Sequence, residues 1–251
     1  MKVNNKNVGL MAGLLLSALL SQQANAAIAL DRTRVVFEGN QKSVSLNVRN
    51  ENKQLPYLAQ GWVEDAKGNK VTSPLVVLPP VQRIEAGARS QVKIQSLPAT
   101  ATLPQDRESL FYFNLREIPP RSEKPNTLQI ALQTRIKLFY RPAAIVPKGA
   151  ITTPWEESLT LTRVGDTYQV NNPTPYYISL VDGSTTKAGQ SVSDFKPLMV
   201  PPKESATLAA SATSLGGSPV LTYINDYGAR PQLQFTCNGT ACKASAVKGS
   251  Q

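Results

Sequence analysis

The sequence predicts an all-β protein of two domains, on three observations. Apolar and polar residues alternate with period two over most of the chain. Gly, Pro, Asn and Asp break these runs at short intervals, and a proline-rich stretch divides the chain near its middle. Alternation places every second side chain on one face, as a half-buried antiparallel strand requires. Neither half carries enough helix-period pattern to suggest an α/β protein.

The N-terminus comes first in the chain and has a different character. Lys2 and Lys6 precede an apolar run from Val8 to Leu20, and Ala24-Asn25-Ala26 supplies a small-x-small cleavage pattern. Residues 1–26 therefore read as a signal peptide cleaved after Ala26. The run is shorter than the ~20 apolar residues that span a bilayer, and it meets Ser21, Gln22 and Gln23. Export without membrane insertion is expected.

From Ala27 to Tyr140 the strand signals are dense. Val44, Leu46 and Val48 alternate with Ser45, Asn47 and Arg49, and Val92 and Ile94 alternate with Lys93 and Gln95. Tyr57 to Glu64 and Ser109 to Leu115 also read as strands. Turns fall at Lys67-Gly68-Asn69, Glu85-Ala86-Gly87 and Pro119-Pro120. About seven strands fit, the number in an immunoglobulin-like sandwich. Leu78-Pro79-Pro80 offers a place for a cis bond before Pro79.

Residues 141–155 form the expected linker, since Pro142, Pro147, Gly149 and Pro154 crowd it, and proline makes a linker semi-rigid. Residues 156–251 form a second all-β domain. Its strand candidates are Leu159 to Val164, Tyr168 to Asn171, Tyr176 to Val181, Ala206 to Leu208, Val220 to Ile224 and Leu233 to Cys237. Asn172-Pro173-Thr174-Pro175 and Pro201-Pro202 separate them.

Composition narrows the chemistry. The formal charge is +10, and +8 (10 − 2) without Lys2 and Lys6. The cations are scattered rather than clustered, so a basic surface is expected and a nucleic-acid partner is not. The two cysteines, Cys237 and Cys242, flank Asn238-Gly239-Thr240-Ala241, which carries an Asn-Gly turn signal. In an oxidising compartment they are expected to close a hairpin as a disulfide. The chain has no histidine, which excludes His-based triads and HExxH zinc sites. It also lacks GxSxG, GxGxxG and phosphate-binding glycine loops. No enzyme, cofactor or metal is expected.

One segment exceeds an ordinary sandwich strand. Thr127 to Tyr140 reads as fourteen residues of strand, against a usual five or six, with Leu128, Ile130 and Leu132 on one face. The row is either core or an exposed edge. An exposed edge invites pairing with another chain, as in β-augmentation; self-association of the empty protein is another way to cover it.

Three stretches carry a resemblance. Leu30-Asp31-Arg32-Thr33-Arg34-Val35-Val36-Phe37, Pro104 to Asn114, and Ile136-Lys137-Leu138-Phe139-Tyr140-Arg141-Pro142 resemble the signature stretches of periplasmic pilus chaperones. Asn172 to Tyr177 and Tyr223 to Gly228 carry it more thinly in the second half. The resemblance implies two immunoglobulin-like domains in a boomerang. It implies a periplasmic chaperone that binds, folds and caps pilus subunits by lending them a strand, then delivers them to an outer-membrane usher. It also maps an anchor for the subunit's C-terminal carboxylate onto Arg34 and Lys137. The donated apolar row maps onto Leu128, Ile130 and Leu132, and an interdomain polar trio onto Glu108, Arg141 and Asp226. Lys137 has the opposite parity to Leu128, so a flat unbroken strand would point the two apart; a twist or bulge near Thr134 would reconcile them. The alternative is a structural fibre subunit or adhesin. Such a chain needs a strand-donating N-terminal peptide and an incomplete sandwich, whereas here Ala27 runs straight into a strand.

Overall fold

The computed structural model describes residues 26–149, 153–247 and 249. The expected signal peptide lies, apart from Ala26, outside the described residues, as do residues 150–152 of the expected linker. Among the described residues no helix is long and apolar enough to cross a membrane.

The first half holds ten strands, more than the count expected from the alternation. They are β1 (Ile28–Leu30), β2 (Arg34–Glu38), β3 (Ser43–Asn50), β4 (Tyr57–Asp65), β5 (Lys70–Val71), β6 (Leu75–Leu78), β7 (Val81–Ile84), β8 (Arg89–Ser96), β9 (Ser109–Ile118) and β10 (Gln133–Arg141). One sheet runs β1-β3-β8-β6. The other runs β2-β10-β9-β4-β5, with β7 also on β4. The excess over seven comes from short strands. The chain changes sheets between β1 and β2, so one stretch near the N-terminus counts twice. The turn after β4 is closed by Asp65, which accepts from the amides of Lys67 and Asn69, and Gly68 supplies its positive φ of 86°. The Leu78–Pro79 bond is cis, as is Ser73–Pro74.

Alternation becomes a core between the two sheets. Phe37, Leu46, Ile94, Phe113 and Leu138 are fully buried there, each contributing about 1.5–3 kcal/mol of gross stabilisation. The opposite face of the β10 sheet turns to the second half of the chain.

That second half comprises β11 (Thr160–Val164), β12 (Thr167–Asn172), β13 (Ile178–Ser184), β14 (Leu198–Val200), β15 (Glu204–Ser211), α1 (Ala212–Leu215), β16 (Val220–Ile224), β17 (Gln232–Asn238) and β18 (Ala241–Ala246). Its strands form one continuous path, β14-β13-β16-β17-β18-β11-β12-β15. The end strands β14 and β15 come into contact, so the sheet curls around its own core of Leu161, Val170, Leu180, Leu208, Leu221 and Phe235. Cys237 and Cys242 face each other across β17 and β18 and are bonded. Gly239, at φ 61°, supports the tight turn between them.

Candidate functional site

The site is built around β10. Its C-terminal part is flanked on both sides: β9 pairs antiparallel from Gln133 to Tyr140, and β2 pairs parallel from Lys137 to Arg141. Gln133 to Ile136 therefore have β9 on one side and, among the described residues, no strand on the other. β2 starts only at Arg34, because the preceding residues belong to the other sheet.

The fourteen-residue strand expected from the sequence is shorter in the structure. β10 begins at Gln133, and residues 127–132 precede it outside the ladder. The cause lies on the neighbouring segment. The antiparallel register places Gln133 opposite Arg116, so Ile130 and Gln129 would face Pro119 and Pro120, which have no N–H to donate. The last rung is the Glu117 amide donating to Leu132 O at 3.0 Å. Beyond it Gln129 instead donates its side-chain amide to the Pro120 carbonyl. The apolar row is left in solvent: Leu128 is 83%, Ile130 64% and Leu132 42% exposed. Leu55, Tyr57, Pro119, Pro120, Leu128 and Ile130 border an open groove of about 740 Å³. The core alternative for this row is excluded. The bulge expected near Thr134 is not present, since β10 pairs with β9 without a register shift from Gln133 to Tyr140; the row instead precedes the strand that carries Lys137.

Arg34 and Lys137 are directly opposite in the parallel ladder, so their side chains share a face. Arg34 is buried; its Nη1 donates to Ile224 O at 2.9 Å and its guanidinium lies 6.0 Å from the Phe139 ring. Its Nε is buried without a partner. The Lys137 ammonium donates to Ser179 Oγ at 3.0 Å. Burial, together with the neighbouring Arg34 charge, holds Lys137 below the usual lysine range. Burial likewise lowers Arg34, against the pull of Asp226, Glu108 and Glu156. Two sheltered cations side by side, neither hydrogen-bonded to a carboxylate, form a place where an anion would relieve both.

Glu108, Arg141 and Asp226 come together as one network. Arg141 Nε donates to Glu108 Oε1 at 2.8 Å, and its Nη1 and Nη2 reach Asp226 at 2.8 and 3.2 Å. Glu108 also accepts the Tyr177 amide at 2.8 Å and gives its own amide to Pro175 O. Burial pushes Glu108 up to about 7, although Arg141 opposes this. Burial also works against the Arg141 charge, but its bonds to Asp226 and the Glu108 carboxylate raise it above the usual arginine value. Arg141 further stacks over Tyr176 and Trp155, at 4.6 and 5.2 Å. The network thus ties β9 and β10 to the loop before β13 and the loop after β16. The Phe139–Tyr177 ring stack adds to this joint.

Sequence reasoning missed several members. Ser179 and Ile224 hold the two cations, but a serine and a backbone carbonyl carry no motif. Glu117, buried, caps the Ile28 amide at 2.8 Å, and Glu156 is buried beside the trio. Their acidic character was visible in the sequence; their burial was not. Among the described residues no group of three or more His, Cys, Asp or Glu is arranged to hold a metal.

These observations define the class as a two-domain all-β protein with an exposed apolar segment leading into the strand that carries Lys137 opposite Arg34. Comparison with known proteins specifies the class. The family described as "Pili and flagellar-assembly chaperone, PapD N-terminal domain" matches residues 27–146, and "Pili assembly chaperone PapD, C-terminal domain" matches residues 154–235. The chain is 52% identical over 236 residues to the probable fimbrial chaperone YfcS of Escherichia coli strain K12, covering 94% of this chain and 93% of that one. It is 50% identical over 226 residues to the chaperone protein PapD of Escherichia coli, covering 90% and 92%. Among solved structures, the periplasmic chaperone SfaE matches at 35% identity and a TM-score of 0.64, over 84% of this chain and 100% of that one. The SafB chaperone, solved with the Salmonella enterica SafA pilin, matches at 28% identity and a TM-score of 0.70, over 86% and 98%. The chain belongs to the pilus-assembly chaperone family. It is a fimbrial chaperone of the two-domain PapD-like fold, and its family is not one of enzymes.

Proposed function

We propose that this chaperone works in the periplasm and captures pilus subunits by donating residues 127–136 as a strand, with Arg34 and Lys137 seating the subunit's C-terminal carboxylate. The single observation that carries this reading is the continuity of an exposed apolar row with the uncovered edge of β10. Leu132 stands five residues before Lys137, about 17 Å along an extended chain. A carboxylate held at the cation pair therefore sets which subunit residues lie beside the row, and register decides which side chains face it.

The two parts contribute differently. Three large apolar side chains entering a subunit groove contribute roughly 1.5–3 kcal/mol each. Each charge-assisted hydrogen bond to a sheltered carboxylate contributes about 1.5–3 kcal/mol. The row holds the subunit and the anchor sets its position. The trio of Glu108, Arg141 and Asp226 fixes the angle between the domains, and the capped subunit passes to an outer-membrane usher. The fold of the SafB chaperone, solved with a pilin, supports a subunit partner, and the SfaE chaperone is described as periplasmic.

Hydrogen exchange on the purified chaperone, alone and as a co-expressed subunit complex, tests the reading. Amides of residues 128–132, which precede the ladder, should exchange rapidly in the lone protein and become protected in a one-to-one complex. Protection of those amides already present in the isolated monomer would refute strand donation.

A further inference from the structure

We propose that Pro119 keeps the hairpin between β9 and β10 from closing on itself and so, given the strand donation proposed above, holds residues 128–131 ready for a subunit. The connection between the two strands runs from Pro119 to Leu132, and it is tied at both ends. At its base the Glu117 amide donates to Leu132 O at 3.0 Å. At its tip the Lys124 amide donates to Ser122 Oγ at 3.1 Å and Thr127 Oγ1 donates to Lys124 O at 3.0 Å. Asn126 turns the chain there with a positive φ of 56°. Between base and tip the two arms stand apart, with Pro119, Pro120, Leu128 and Ile130 on the walls of the open groove.

One residue is enough to bar the ladder. In an antiparallel pair, opposed residues that exchange hydrogen bonds alternate with opposed residues that do not. Glu117 and Leu132 are a bonded pair, so the next bonded pair in this register is Pro119 with Ile130, followed by Arg121 with Leu128. Continued to Ser122 opposite Thr127, the arms would leave residues 123–126 as an ordinary short hairpin loop. Pro119 cannot make its rung. It has no N–H, and its ring fills the direction in which that N–H would point at Ile130 O. Residue 120 is a non-bonded position, so the Pro120 nitrogen faces away from β10. The Gln129 side chain, not the backbone, reaches across to the Pro120 carbonyl.

Closure of the hairpin would occupy the edge of residues 128–131 that faces β9. An unpaired edge is a liability that folds ordinarily cover, and the nearest cover is the chain's own neighbouring arm. A subunit arriving at a closed hairpin must first break those rungs. Its apparent affinity then falls in proportion to the fraction of chaperone that remains open. Pro119 is therefore a positioning residue for capture: it touches no anchor group, yet it maintains the open form to which a subunit binds.

Pro119→Val restores the donor at the barred rung, and Pro120→Val, one residue further on, is its control. Each full-length variant is produced in the periplasm, alone and together with a pilus subunit. In the lone Pro119→Val protein the amides of Leu128 and Ile130 should exchange about tenfold more slowly than in wild type. Subunit recovered with this variant should fall by a similar factor. Pro120→Val should match wild type in both measurements. If Pro119→Val lowers the melting temperature, Pro119→Ala restores the same N–H with a smaller side chain and carries the test. Unchanged exchange at Leu128 and Ile130 in the Pro119 variant overturns the proposal. So does slowed exchange with undiminished capture, or an equal effect of the two substitutions. Failure of strand donation itself would show elsewhere, as amides 128–132 left unprotected in the wild-type complex.

Discussion

Arg34 and Lys137 occupy opposite positions of a parallel ladder, and both direct their charges at the second half of the chain, to Ile224 O and Ser179 Oγ. Their settings are unequal. Arg34 is buried and braces the joint, whereas Lys137 is half-buried and holds only a serine hydroxyl. Lys137→Ala should therefore leave the melting temperature nearly unchanged and reduce subunit capture by about ten- to hundredfold, the loss of one charge-assisted bond of 1.5–3 kcal/mol. The measurement is subunit recovered with the chaperone on periplasmic co-expression. Normal recovery would remove Lys137 from the anchor. Arg34→Ala should abolish capture as well, with some loss of stability from the joint.

Ile130 is 64% exposed and lies outside the ladder. Ile130→Glu is expected to change folding stability by no more than about 0.5 kcal/mol, as at other exposed sites. It should sharply lower subunit binding, because a carboxylate would enter an apolar groove. Thermal unfolding and co-purification, measured on the same preparation, separate these effects. A large fall in melting temperature would mean that the row supports the chaperone's own core.

Arg141→Ala strands the buried Glu108 and removes the cation stacked on Tyr176 and Trp155. Breaking a buried pair from one side costs about 3–5 kcal/mol. Asp226 is part-exposed, with 28% of its side chain in solvent, so Asp226→Asn should cost less. Chemical denaturation ranks the two variants. Small-angle scattering should show a wider spread of interdomain arrangements for Arg141→Ala than for wild type. Equal stability of both variants with wild type would remove the network from any structural role.

Glu156 makes stability depend on pH in a definite direction. Burial raises its folded value from 4.5 to about 7, so the folded state binds this proton more tightly than the unfolded state. The resulting stabilisation is fully present below about 4.5 and disappears as pH rises through about 7. Glu108 acts in the same direction. The melting temperature should fall between about pH 5 and pH 8, and fall less in Glu156→Gln. Parallel profiles for variant and wild type would show that Glu156 titrates normally.

Much of the fold was legible because its signals are local. Val44-Leu46-Val48 and Val92-Ile94 alternate in sequence and pack on one core. The Asn-Gly pair between Cys237 and Cys242 predicts the hairpin that the structure closes. The candidate site was legible in its residues but less so in its geometry. Thr127 to Tyr140 reads as one strand because each residue suits a strand. The ladder nevertheless stops at Gln133, since the potential partners on the neighbouring segment are Pro119 and Pro120. Ser179, Glu117 and Glu156 were silent, because neither a serine nor an acid declares in sequence whether it will be buried.

The sequence by itself determined an all-β chain in two parts, a chemistry without histidine, and a cysteine pair placed for a local bridge, all set by period-two patterning and composition. Only the tertiary structure decided that Leu128, Ile130 and Leu132 stand in solvent. It set Arg34 directly opposite Lys137 in a parallel ladder, 103 residues apart (137 − 34), and buried Glu156 beside the Glu108–Arg141–Asp226 network. Exposure and charge pairing depend on which distant segments arrive alongside, and the prolines that stop a ladder act on a neighbour far along the chain.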